Sequence, residues 1–343
     1  MKVEFQGIKK TKKGILERLM ATSDTLDTLK DKLKSLKIFS YVESNNNKLK
    51  VVEDKNRINV SSSSVSGEMK NSLNIHLPNL FGRAINSKVS LSSLTDYKIE
   101  LSKPVLTKRL FFLNFFNENH IVRLPCGNFS MNKSEVELKV SPVSMAVGLE
   151  KAPDNPRKYA RINYESKGVN LGIKQDISPN PFTKFELAVK PTLDLFKGLK
   201  LETRFGLGSI FGNPPQYDKF YLGKNVKGYK DKFISPTDYN VKNGGLSYLE
   251  VTTKLLFSMN KLNLYAFNSF GYNSRQRNLT KTLNEIQKEI YNKDNSAFGH
   301  SIGLGVSVPV NKETGSLLDA TLSFPLTNNS NIEKYQFDLN FDF

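Results

Sequence analysis

From about residue 71 to the end, apolar and polar positions alternate with period two. SLNIHL places Leu73, Ile75 and Leu77 on one face, and VELKV sets Val136, Leu138 and Val140 against Glu137 and Lys139. VNLGIK, LKLETRFGLG, SIGLGVSVPV and LLDATLSFPL repeat the pattern, and KYQFDLNFDF carries it to the last residue, with Tyr335, Phe337, Leu339, Phe341 and Phe343 in one phase. Period two is the signature of strands with one oily and one wet face. The second faces are too polar for a soluble sandwich of this length. Recurrence over some 270 residues predicts a large barrel with lipid outside and water inside. LTKTLNEIQKEIY (279–291) is the one helical interruption and reads as an external insertion.

The first 56 residues follow another rule. VEFQG (3–7) reads as a strand, and TKKGILERLM (11–20) as a helix with Ile15, Leu16 and Leu19 on one side. Leu26, Leu29, Leu33 and Leu36 recur at helical spacing behind a cap at Ser23 or Asp24. IFSYVES and KLKVVED complete a hairpin around Asn45–Asn47. The predicted order is β-α-α-β-β over residues 1–60. SSSSVSGEMK (61–70) reads as a linker, and the barrel occupies 71–343.

Composition narrows the classes. No run of about eighteen apolar residues exists, so no spanning helix is expected; barrel strands need only about ten alternating residues. The N-terminus lacks an apolar core followed by a small-residue cleavage site, which predicts no secretory signal. A single cysteine, Cys126, excludes an internal disulfide and a cysteine-based zinc site. The formal charge of +17 is spread: residues 1–70 carry an excess of 6 positive charges and the remainder 11. No basic arm or aromatic-basic RNA-reading motif concentrates it, so no nucleic-acid partner is expected and anionic lipid headgroups suit it as well.

Candidate chemistry is sparse. His76, His120 and His300 lack ligand spacing, and no nucleophile elbow, phosphate loop or dinucleotide fingerprint occurs. The expectation is a protein that is not an enzyme, with no cofactor and no metal.

Three segments carry a resemblance: LPNLFGRA (77–84), YDKFYLGKNVKGY (217–229), and the closely spaced GGLSYLEVTTKLLF (244–257) and NLYAFNSFGY (263–272). With the α/β unit in front, the chain resembles the POTRA-plus-barrel superfamily of outer-membrane assembly factors, closest to the core barrel subunit of the mitochondrial sorting and assembly machinery. The resemblance implies a transmembrane β-barrel of about sixteen antiparallel strands and one POTRA domain in the intermembrane space. It further implies insertion and folding of unfolded β-barrel clients into the outer membrane of a mitochondrion or a related organelle, alongside peripheral accessory subunits. A lumen-loop motif matches Val226, Lys227, Gly228 and Tyr229, with lysine where the family has arginine. Glu250 and Asn268 are the implied partners on the barrel wall. The implied lateral seam pairs the strand near Leu73, Ile75 and Leu77 with the last strand, and its edge templates a client strand. A protein- or solute-conducting pore on the same fold is the alternative.

Overall fold

The computed structural model describes every residue except 1–2, 46–47, 66–67, 94–95, 108–109, 153–155, 224, 239–240, 260–261, 290–295, 312–315, 328–331 and 341–343. Its N-terminal part runs strand Glu4–Gln6, helices Lys13–Ala21 and Leu26–Ser35, then strands Phe39–Asn45 and Lys48–Glu53. The third strand lies between the other two, parallel to the first and antiparallel to the second. Leu16, Leu19, Leu29, Leu33 and Leu36 pack with Ile38, Leu49 and Val51 into one core. Each fully buried leucine contributes about 1.5–3 kcal/mol relative to exposure. The second helix is capped by Thr25, not by Ser23 or Asp24. The Thr25 hydroxyl accepts from the Thr28 backbone N–H at 3.2 Å, and the Thr28 hydroxyl accepts from the Thr25 N–H at 3.1 Å. That reciprocal pair satisfies two donors left free by the first helical turn.

The rest of the chain closes into an antiparallel barrel. Phe182–Val189 and Thr192–Phe196 both pair with Leu199–Gly212, so they form one strand interrupted at Lys190–Pro191. Counted that way, sixteen strands make the wall among the described residues. Pro191 explains the interruption, since proline donates no hydrogen bond to a ladder. The outer face carries the alternating apolar set: Met145, Val147, Ile162, Ile302 and Leu304 are exposed at successive outward positions. The inner face is polar and internally paired. Glu135 receives Tyr159 and Arg161, Lys174 bridges Glu150 and Asp218 at 2.9 Å each, and Arg157 meets Asp176 at 2.9 Å. No helix among the described residues is long and apolar enough to cross a membrane. The helix Leu279–Glu289 lies on the outer face at the end far from the N-terminal unit, with Thr282 bonded to Ser247 and Glu285 to Ser274.

Residues 61–65 and 68–70 are strand, not the expected linker. Arg57–Val65 is the first barrel strand and Glu68–Leu80 the second, paired from Arg57↔His76 to Val65↔Glu68. Four consecutive serines show no apolar alternation; their extended form is imposed by the two strands flanking them. The first strand therefore precedes the one holding Leu73, Ile75 and Leu77, which lie one strand away from the seam, opposite Val60 (Leu73) and Ile58 (Ile75).

LPNLFGRA forms the turn after the second strand, where the N-terminal unit meets the barrel. Asn79, Phe81, Gly82 and Ala84 all adopt positive φ. The Asn79 amide donates to Thr11 Oγ1 at 2.7 Å, and the Lys12 backbone N–H to Gly82 O at 2.9 Å. A Cβ on Gly82 would stand 2.1 Å from Lys10 O, so only glycine permits this contact. Ala84 is fully buried in the core of the N-terminal unit. The turn is a dock.

Candidate functional site: the lumen loop and the closing seam

Residues 213–246 connect Leu199–Gly212 to Ser247–Met259 and fold back against the inner wall. A short 3-10 turn, Gln216–Asp218, starts the path, and Lys174 holds Asp218. Phe220, Leu222, Val226, Tyr229 and Ile234 cluster with Phe182, Ile210 and Tyr248 of the wall. This apolar cluster anchors a polar crossing.

The motif at 225–229 crosses the wall strand by strand. Asn225 O accepts from Thr252 Oγ1 at 3.0 Å. The Lys227 N–H donates to Ser269 Oγ at 3.2 Å, and Lys227 O accepts from Ser301 Oγ. Gly228, at φ +88°, lies against Ser323 and Ser301, where a Cβ would come within 2.9 Å of Ser323 Cβ. Gly228 O accepts from the Glu333 N–H at 2.9 Å. The Tyr229 hydroxyl donates to His300 O at 2.8 Å and sits 2.6 Å from Thr327 Oγ1. Its own carbonyl accepts from Gln336 at 3.2 Å.

Thr252, Ser269 and Ser301 stand directly opposite one another on three successive strands. Ser269, Ser301 and Ser323 are fully buried. Small hydroxyl side chains let the loop backbone approach and supply the donors and acceptors it needs. Sequence reasoning missed this row, although its residues occupy the polar phase of NSFGY, GHSIG and LSFPL.

That path corrects both implied wall partners. The Lys227 ammonium lies 3.6 Å from Asp319 Oδ2, both side chains about 14% exposed, and not against Glu250. By residue 227 the loop has passed the strand bearing Glu250 and reached those bearing Ser269 and Ser301. Glu250 is occupied earlier on the path, by Asn225 at 3.1 Å and Arg204 at 3.4 Å. Asn268 faces outward, where its amide oxygen meets His300 Nε2 at 3.0 Å. A one-residue step along a strand flips the face, so the inward contact falls to Ser269. Val226 is fully buried beside Gly271, and Tyr229 is 1% exposed.

The barrel closes where Tyr335–Asn340 meets Arg57–Val65. Among the described residues, the register pairs Ser61↔Asn340, Ser62↔Leu339 and Ser63↔Asp338. Tyr335 is outward and 65% exposed, while Gln336 points inward to Tyr229. Phe337 and Leu339 stand opposite Ala320 and Leu318 in register. Phe341 and Phe343 lie outside the described residues.

Known proteins place this architecture. Among solved structures, the chain is similar to BamA from Haemophilus ducreyi lacking POTRA domains 1–3. The TM-score is 0.67 at 15% identity, covering 99% of this chain and 84% of that one. CdiB from Acinetobacter baumannii gives 0.53 at 14% identity over 100% and 74%, and CdiB from Escherichia coli 0.52 at 12% over 99% and 77%. Identities this low carry the fold alone. No curated protein matches the sequence. Residues 158–343, more than half of the chain, match the Omp85 superfamily domain, and they include the lumen loop, its serine wall and the last strand. The chain is an outer-membrane β-barrel belonging to the Omp85 superfamily.

Proposed function

We propose that this protein inserts and folds β-barrel proteins in the outer membrane of a mitochondrion or a mitochondrion-derived organelle. The observation that carries this reading is the match of residues 158–343 to the Omp85 superfamily domain, in a barrel that closes its first strand, Arg57–Val65, on its last, Tyr335–Asn340. These two strands are not joined by a hairpin, so they part without unfolding a turn. Parting exposes a row of unpaired N–H and C=O groups on Arg57–Val65, which pairs with an extended client strand by β-augmentation. The N-terminal unit, read as a POTRA domain in the intermembrane space, is held at the rim where clients arrive. The likeness of the LPNLFGRA and Val-Lys-Gly-Tyr segments to the sorting and assembly machinery supports the organelle and the presence of accessory subunits. The lumen loop spans the strands next to the seam, from Thr252 to Gln336, and so braces the wall that must stay closed while the seam parts.

The test is depletion of the protein followed by import of labelled barrel precursors. Failure of barrel assembly with unchanged import of helical outer-membrane proteins is the expected result. Normal assembly after depletion, with loss of solute or protein flux instead, would replace the insertase by a conducting pore.

A further inference from the structure

The interrupted strand leaves a second backbone edge open, away from the seam. Val189 is the last residue of that strand to face a neighbour, at Val169, and the Lys190 N–H donates to Gly168 O as the last rung. The neighbouring chain turns back at 167–168, while Thr192–Phe196 continues and pairs only with Leu199–Gly212. In an antiparallel ladder the backbone groups of successive residues alternate between the two sides. Pro191 O accepts from the Thr203 N–H, so Thr192 and Asp194 turn theirs the other way, like Lys190, until a bulge between Asp194 and Phe196 ends the alternation. No strand lies there among the described residues.

All five residues of Thr192–Phe196 are exposed, with Leu193 at 58% and Phe196 at 77%. An open edge does not sit in hydrocarbon, because each unpaired group there costs several kcal/mol. The segment therefore stands at or beyond the membrane boundary, on the rim that holds the N-terminal unit. There, Leu193, Leu195 and Phe196 are exposed apolar side chains. Exposed edges of this kind are normally covered, charged or bulged away. Here the cations Lys190, Lys197 and Lys200 surround the edge; Lys200 reaches Asp194 at 3.2 Å.

We infer that Thr192–Phe196 is a docking edge for an extended, alternating, acidic-polar client strand, held there by β-augmentation before it reaches the seam. The inference rests on the insertase reading. The backbone groups of Thr192 and Asp194 supply affinity, Leu193 and Leu195 select the apolar phase, and the lysines select carboxylates in the polar phase. KYQFDLNFDF has that chemistry, with Asp338 and Asp342 in the polar phase.

The probe is a synthetic peptide of residues 334–343 carrying L339C, oxidised against the full-length protein in lipid nanodiscs. The protein carries Cys126→Ser with either Leu193→Cys at the edge, on the face that takes the apolar phase, or Ser62→Cys at the seam. A disulfide at Leu193→Cys is expected, weakened by high salt. Asp194→Pro removes an outward N–H and should cut that yield about tenfold without touching the rungs to Leu199–Gly212. Asp194→Ala should leave it unchanged. Capture at the seam without capture at the edge overturns the inference and leaves the insertase reading standing. Capture at the edge alone supports the edge and counts against seam templating. Capture at neither sinks both. Equal yields in Asp194→Pro and Asp194→Ala also overturn it, since backbone pairing would then not be the contact.

Discussion

Lys227 and Asp319 form an ion pair across the lumen, Nζ to Oδ2 at 3.6 Å, linking the loop to the fifteenth strand, Ser316–Pro325. Asp319 also accepts from the Tyr265 hydroxyl at 2.8 Å, which fixes the carboxylate from a third element. A lysine is a point charge without the planar fork of arginine. One ammonium on one fixed carboxylate suits it, whereas a bidentate clamp does not.

The loop should therefore respond to this pair and not to Glu250. Lys227→Ala or Asp319→Ala should each loosen the loop by about 1–3 kcal/mol, between an exposed pair and a fully buried one. The exchanged pair Lys227→Asp with Asp319→Lys should recover part of the loss. Limited proteolysis within 213–246 reads the loosening, and the double-mutant cycle gives the coupling. Coupling to Glu250 larger than coupling to Asp319 would contradict the observed path.

Gly228 offers an independent test of the close approach. At φ +88° an L side chain is strained by roughly 1–2 kcal/mol, and its Cβ would meet the buried Ser323. Gly228→Ala should open the loop to protease while the barrel keeps its anomalous migration when unheated. Ser323→Val should act the same way from the wall side. Unchanged protection in both variants would show that the loop does not need the serine wall.

The barrel was legible because lipid outside and water inside force period-two alternation, as in SIGLGVSVPV and LLDATLSFPL. The helices of the N-terminal unit were legible through leucines at three- and four-residue spacing. Ser61–Ser64 were not, because barrel closure and not side-chain pattern makes them a strand. Glu250 and Asn268 were assigned by motif position, which carries no information on how far the loop travels before Lys227. Asp319 sat in plain view inside LLDATLSFPL, in the inward phase. The signal that could have found it is a carboxylate in a lumen-facing register, which still requires the loop path to be chosen over others.

The dock between barrel and N-terminal unit should loosen in acid. Burial pushes the Glu53 carboxyl upward, but the Thr11 hydroxyl and the backbone N–H groups of Thr11, Lys10 and Lys9 outweigh it and hold it below its ordinary value. A depressed folded-state value means the stabilisation is fully present above the ordinary glutamate range, near 4.3, and is lost as pH falls through the lowered value. Thr11 in turn receives Asn79, so protonation of Glu53 weakens the hold on the LPNLFGRA turn. Amide exchange at residues 10–12 should accelerate below about pH 4 in the native protein. Glu53→Gln should show the faster exchange at neutral pH with no further acid dependence. Exchange in Glu53→Gln that still rose in acid would assign the dependence to another group.

The seam prediction follows from register. Ser62 and Leu339 are direct partners across the closing interface of the wall. In a Cys126→Ser background, Ser62→Cys with Leu339→Cys should form a disulfide, while Leu73→Cys with Leu339→Cys should not, since Leu73 lies on the next strand opposite Val60. Directly opposed antiparallel residues bring their Cβ atoms to about 4.5–5.5 Å, close enough to bridge with small adjustment. The locked barrel should keep its heat-modifiable migration and its lumen-loop protection, because Lys227, Gly228 and Tyr229 contact the wall away from the first strand. Client assembly should stop under oxidation and return on reduction, which separates loss of opening from loss of folding. A barrel shown by mass spectrometry to be fully locked, yet assembling clients at the unlocked rate, would mean that the client strand is not templated at this seam.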